Sequence, residues 1–207
     1  MSISAKTEAD KSGMSYIETR RPPSWVRLLA TVLRRLPPFR GRKRIEWLLG
    51  IEHRLVSHCW SDSIRVHDYI MEVSLDDFIG RSSYLNGVWE THNTEAVRHI
   101  LKPGATIFDI GAHIGYFTLL FASIVGDSGI VHAFEPVTNT FTQLKRNLSR
   151  NPILERRMHA YRLAVSEFAG PLRMNVTTVA NTGASYVCAE PAHDKWRAET
   201  ARAYTET

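Results

Sequence analysis

Residues 107–136 carry a pattern that few folds accommodate. An apolar run, Ile107-Phe108-Asp109-Ile110, leads into a turn with Gly111 and Gly115. A charge-free apolar stretch then continues to Val125, and a second run, Ile130–Phe134, ends at Glu135. Short apolar runs on either side of a longer charge-free segment predict strand, helix, strand. A helical crossover of this kind joins parallel strands. Asp109 and Glu135 then stand at the carboxyl ends of neighbouring strands, the edge at which open α/β sheets bind ligands. The expected fold class is α/β, with a Rossmann-like parallel sheet and flanking helices.

Composition sets bounds around that core. With 207 residues, 43% hydrophobic and 23% charged, the chain has the make-up of a globular domain with appendages. Ile110 to Gly126 lacks Asp, Glu, Lys and Arg, but it spans only 17 residues and includes His113 and three glycines. A buried core helix is expected there rather than a membrane span. The net charge of +5 is uneven, because nine Arg or Lys and no acid lie between Arg20 and Arg44. The basic character therefore describes an N-terminal arm, and nucleic acid is not an expected partner. Cys59 and Cys188 are too few for a disulfide framework. The first 20 residues lack the apolar core of a secretory signal. A cytoplasmic setting is expected.

Four segments follow from the pattern along the chain: a disordered tail over 1–20, a basic helical arm over 21–60, the α/β domain over 61–188 and a polar tail over 189–207. In the arm, Trp25, Leu28, Leu29, Val32, Leu33 and Leu36 recur at helical spacing before Pro37-Pro38, and a second helical run surrounds Ile45–Leu49. Such a helix either packs its Leu face on the domain or makes weak contact with a membrane surface. Residues 64–79 alternate like a hairpin. Asn93 opens a helix that Pro103-Gly104 closes, and Thr138 or Asn139 caps another with Phe141, Leu144 and Leu148 inward. Tyr161–Val165 reads as a third strand, and residues 189–207 show none. A complete doubly wound sheet has about six strands. The C-terminal half of the sheet is therefore expected to be missing.

The turn residues bear on the ligand. Glycine at 111 and 115 lets the backbone turn tightly and lets a ligand approach the main chain. Asp109 can pair with a cationic amino-acid group, and Glu135, 20 residues after Gly115, can accept from both hydroxyls of a ribose. A dinucleotide site would need Gly-x-Gly-x-x-Gly, but this chain has His113 and Tyr116 at the second and third glycine positions. These are bulky where a pyrophosphate would approach the helix N-terminus. S-adenosylmethionine is the favoured cofactor, and an NAD-dependent oxidoreductase is a distant alternative.

Phe-Asp-Ile-Gly-Ala-His-Ile-Gly-Tyr-Phe-Thr (108–118), Val-His-Ala-Phe-Glu-Pro (131–136), Asn-Leu-Ser-Arg-Asn (147–151) and Leu-Ala-Val-Ser (163–166) closely resemble the FkbM family of S-adenosylmethionine-dependent methyltransferases. So do Gly-Val-Trp-Glu (87–90), Leu-Lys-Pro-Gly (101–104) and Asn-Thr-Gly-Ala-Ser (181–185). The resemblance implies a class I methyltransferase fold. It implies that Asp109, Gly111 and Gly115 lie near the methionine end of the cofactor, that Glu135 holds the ribose and that Pro136 and Val137 line the adenine. Leu163 and Ala164 would meet the adenine by backbone and packing, because no acid stands there. Family members commonly methylate hydroxyl oxygens, so the acceptor implied is a small molecule or glycan. The family's later Asp-x-Glu-Gly segment has no counterpart in 189–207. The competing reading is therefore a truncated, non-catalytic remnant that at most binds the cofactor. No catalytic base is assigned.

Some residues invite other readings. His53, His58, His67 and Cys59 lack paired-ligand spacing, so solvated or capping histidines are expected rather than a metal site. His113 sits in the glycine turn. Trp89 and Glu90 are candidates to close over the cofactor, against a packed Trp and a solvated Glu.

Overall fold

The computed structural model describes residues 20–35, 60–166, 174–177, 186–187 and 203–206. In chain order the elements are α1 (Ser24–Arg35), β1 (Ser61–Val66), β2 (Tyr69–Ser74), α2 (Phe78–Asn86), α3 (Thr91–Ile100), β3 (Thr106–Ile110) and α4 (Tyr116–Val125). Then come β4 (Ile130–Phe134), α5 (Thr138–Ser149), α6 (Pro152–Glu155), β5 (Met158–Tyr161), β6 (Met174–Thr177), β7 (Tyr186–Val187) and β8 (Ala203–Glu206).

The centre is the expected parallel sheet, in the order β3-β4-β5. Asp109 pairs with Ala133, and Phe134 pairs with Tyr161. The charge-free segment is a buried helix: Tyr116, Thr118, Leu119, Leu120, Ala122 and Val125 of α4 are all enclosed. α4 packs on β3 and β4, and α5 and α6 pack on β5. The opposite face of the sheet is a ladder of stacked rings, with Phe108 between His132 and Phe134, and Tyr161 beside both. Phe108 and Ile110 on that face are each 63% exposed.

Outside the helices lies the antiparallel hairpin β1-β2. Its period-2 alternation drives the packing: Ile64, Val66, Tyr69, Met71 and Val73 are buried, while their neighbours face outward. The hairpin is fastened by two asparagines four residues apart, Asn147 on α5 and Asn151 at the N-cap of α6. Asn147 Oδ1 accepts from Glu72 N at 2.8 Å, and its Nδ2 donates to Glu72 O at 3.2 Å. Asn151 repeats the pattern on Ile70, with both bonds at 2.8 Å. Each side-chain amide thus pairs with the strand as a neighbouring backbone would, and the outer edge of β2 is satisfied without a third strand.

Several boundaries differ from the sequence reading. The third strand is Met158–Tyr161, so Leu163 and Ala164 lie beyond it rather than in it. Register with Val131–Phe134 of the buried neighbour decides this, over the stronger apolar run at 161–165. α3 starts at Thr91, ahead of Asn93. Val137, not Thr138 or Asn139, holds the N-cap position of α5, and its N–H is taken by the Glu135 side chain. Residues 203–206, where the sequence shows no strand, form β8 paired antiparallel with β6.

α1 packs through Val26 and Ala30, with Leu29 and Leu33 partly buried, while Trp25, Leu28 and Val32 of the expected apolar face are exposed. Arg34 lies 4.8 Å over the Tyr84 ring and donates to Tyr84 O, so part of the basic arm serves packing. The run at 45–49 lies outside the described residues, as do His53, His58 and Cys59. No helix among the described residues is long and apolar enough to cross a membrane.

Candidate functional site

The loop between β3 and α4 is held by a full set of backbone bonds. Gly111 and Ala112 both donate to Phe134 O, at 2.9 and 3.0 Å, and Gly115 donates to Ala112 O. His113 N donates to Glu135 Oε2 at 3.0 Å. Ile114 O accepts from Asn147 Nδ2 at 2.8 Å. Three residues of the loop have left-handed backbones: Gly111 at φ 81°, His113 at φ 52° and Gly115 at φ 91°. The two glycines serve different ends. A Cβ on Gly115 would sit 2.7 Å from Leu144 Cδ1, so that glycine lets α5 close on the loop. A Cβ on Gly111 would meet nothing within 4 Å, because Gly111 borders open space.

That space is a cavity of about 440 Å³ at the carboxyl end of β3. Asp109 and the loop from Gly111 to Ile114 form its floor, Tyr116 and Phe117 of α4 one wall, and Phe78, Ile79, Trp89 and Glu90 the other. Phe78 and Trp89 meet edge to face with centroids 5.4 Å apart. The lining holds two carboxylates and four aromatic rings, and no Lys or Arg. Sequence reasoning did not find Phe78 and Ile79, which reach the site only through the N-terminus of α2.

The two sequence-predicted acids are both enclosed but face differently. Asp109 lines the cavity and accepts from Thr118 Oγ1. Burial raises its pKa, against the lowering effect of that bond. Glu135 is 5% exposed, outside the cavity lining, and receives His113 N and Val137 N on its two oxygens. Burial raises its pKa as well, while those two bonds oppose the rise. Pro136 is half-buried beside it, Leu163 is exposed and Ala164 half-buried. Asp109 therefore borders the cavity while Glu135 braces the loop, and Leu163 and Ala164 are not part of the cavity lining. Burial lowers the His113 pKa, which keeps its ring neutral.

Both carboxyls hold a proton more tightly in the folded chain. Between the ordinary carboxylate value of about 4 and the raised folded values, the folded state binds more protons. Stability is thus expected to fall as pH rises across that window. Affinity for a cationic ligand, which favours the ionised acids, is expected to rise across it. Urea unfolding and ligand titration at stepped pH check the opposed signs; parallel trends would contradict the assignment.

The family model for the methyltransferase FkbM domain matches residues 109–205. Residues 109–205 are thus similar to the FkbM methyltransferase domain. The FkbM match begins at Asp109, the acid on the cavity floor, and takes in the whole glycine loop. A curated relative, 31-O-demethyl-FK506 methyltransferase FkbM of Streptomyces tacrolimicus, is 36% identical over 97 residues, 47% of this chain and 34% of the relative. The chain thus spans about a third of the length of the curated relative it matches. Among solved structures, P. horikoshii TYW2 in complex with MeSAdo aligns at TM-score 0.43 and 18% identity, over 61% of this chain and 49% of that one. A SAM-dependent O-methyltransferase of Thermotoga maritima aligns at TM-score 0.35 and 24% identity, over 39% and 31%.

Proposed function

We propose that this chain is a methyltransferase of FkbM type, that it binds S-adenosylmethionine at the β3–α4 loop and that its activity is methyl transfer to a hydroxyl oxygen of a sugar or natural-product acceptor. The observation that carries the cofactor reading is the character of the cavity. Its two carboxylates and four rings, with no Lys or Arg, suit a ligand that is positive at its reacting end. A pyrophosphate would want loop N–H groups, and those of Gly111, Ala112, His113 and Gly115 are already spent inside the protein. A sulfonium with an ammonium beside it fits the same lining. Asp109 would face the amino-acid end, with Gly111 giving close approach. Glu135, whose oxygens each keep a lone pair, would hold the ribose, and Pro136 with Val137 would border the base.

The sulfonium supplies an activated methyl group when bound, so the chain's own share of the work is alignment and exclusion of water. Phe78, Trp89, Tyr116 and Phe117 supply the dry wall, and the loop bonds fix the floor. The acceptor class rests on the family and on the relative's name alone. Incubation with tritiated-methyl S-adenosylmethionine and a panel of hydroxylated macrolides and sugars tests it. Label in an acceptor hydroxyl is the expected result; cofactor binding without transfer to any hydroxyl acceptor would favour the reading of a binding remnant.

A further inference from the structure

Trp89 and Glu90 form a corner whose geometry is more constrained than a connecting loop requires. Glu90 has φ 44°, a left-handed conformation that costs an ordinary residue free energy and persists only where the surroundings impose it. Here the surroundings do so through Thr94, which is fully buried. Thr94 N donates to Glu90 O at 2.9 Å, and Thr94 Oγ1 donates to Trp89 O at 2.8 Å. The same hydroxyl lies 3.1 Å from Tyr116 Oη on α4. Two consecutive carbonyls are thus pinned by one threonine to the helix that follows the glycine loop. Of the three non-glycine residues with positive φ among the described residues, two, Glu90 and His113, line the cavity.

The effect is to hold an exposed carboxylate over a cavity that already has Asp109 on its floor. Glu90 gives no side-chain cap to α3, and its carboxylate accepts from Asn93 Nδ2 on that helix at 2.8 Å. A solvated glutamate would need neither the strained backbone nor the buried clamp.

We propose that Glu90 is the specificity residue for the amino-acid end of the cofactor, its carboxylate receiving the α-ammonium group across the cavity from Asp109. Thr94 and Tyr116 act as positioning residues that present it. This inference rests on the S-adenosylmethionine reading of the site. It assigns a recognition role to a position upstream of the matched domain segment, which starts at Asp109.

Calorimetric titration of the full chain with two neutral-sulfur probes tests it. S-adenosylhomocysteine keeps the amino-acid end, and 5′-methylthioadenosine lacks it. The wild-type chain is expected to prefer S-adenosylhomocysteine by about tenfold or more, the size of one charge-assisted contact. Glu90→Gln, which can still accept from Asn93, is expected to weaken S-adenosylhomocysteine about tenfold. It should leave 5′-methylthioadenosine and the thermal midpoint unchanged. Unchanged S-adenosylhomocysteine affinity in that variant overturns the proposal. So does an equal loss for both probes, which marks a merely structural role. Failure of the wild-type chain to bind either probe takes the underlying cofactor reading down as well. Binding of both with no preference leaves that reading standing and sinks this one.

Discussion

Replacing Gly115 with alanine is expected to destabilise the chain by about 3 kcal/mol, close to the largest effect available to a single methyl. Two penalties add at this position. At φ 91° an L-residue is strained, at about 1 kcal/mol or more. The new Cβ would also lie 2.7 Å from Leu144 Cδ1, a fully buried side chain with little room to retreat. Forcing a methyl into such packing costs about 1–3 kcal/mol. Gly111→Ala is the informative partner. It shares the positive φ, at 81°, but faces open space, so only the strain remains. The expected result is a double dissociation. Gly115→Ala loses most in urea unfolding, whereas Gly111→Ala keeps most of its stability and loses cofactor affinity, because its methyl projects into the cavity. Equal stability losses would contradict the packing role given to Gly115.

Asn147→Ala is expected to cost about 3 kcal/mol by leaving Glu72 N and Ile114 O without their partner, while Glu72 O keeps only Gln143 Nε2; each buried unsatisfied group costs about 1–3 kcal/mol, and relaxation recovers part. Asn147 is fully buried, so water does not replace the lost bonds cheaply. Asn147→Asp should not rescue, since it keeps the acceptor for Glu72 N but turns a carboxylate toward two carbonyl oxygens. Asn151→Ala is the control. It breaks the same kind of pairing at Ile70 but has no bond to the loop. Both alanine variants should lower the unfolding midpoint, and only Asn147→Ala should also weaken cofactor binding, through Ile114. If Asn151→Ala weakens binding as much, the loop contact is not what matters.

The core of this fold was legible because its signals are local. The apolar runs around Gly111 and Gly115 encode strand, turn and helix within one stretch, and the alternation from Ile64 to Val73 encodes the hairpin. Asp109 and Glu135 were legible for the same reason, as residues that end strands. What escaped depends on distant partners. The third strand sits at Met158–Tyr161 because β4 selects the register, although Leu163 and Val165 make the stronger apolar pattern. Asn147 and Asn151 are legible in the sequence only as ends of the Asn-Leu-Ser-Arg-Asn motif, with no structural role, and are 0% and 8% exposed. Their partners are distant: the hairpin, more than seventy residues upstream, and for Asn147 also the glycine loop. Phe78 and Ile79 likewise reach the cavity by way of the whole α2 segment, whose Gly80 stands where a Cβ would meet Ser74 O at 2.2 Å.

Calorimetric titration of S-adenosylmethionine into the 207-residue chain, with Asp109→Ala plus Glu135→Ala as the control, tests the central claim most directly. Micromolar binding that the double variant loses is the predicted result, with NADH giving no heat. Absence of binding by a wild-type chain that still unfolds cooperatively would contradict it.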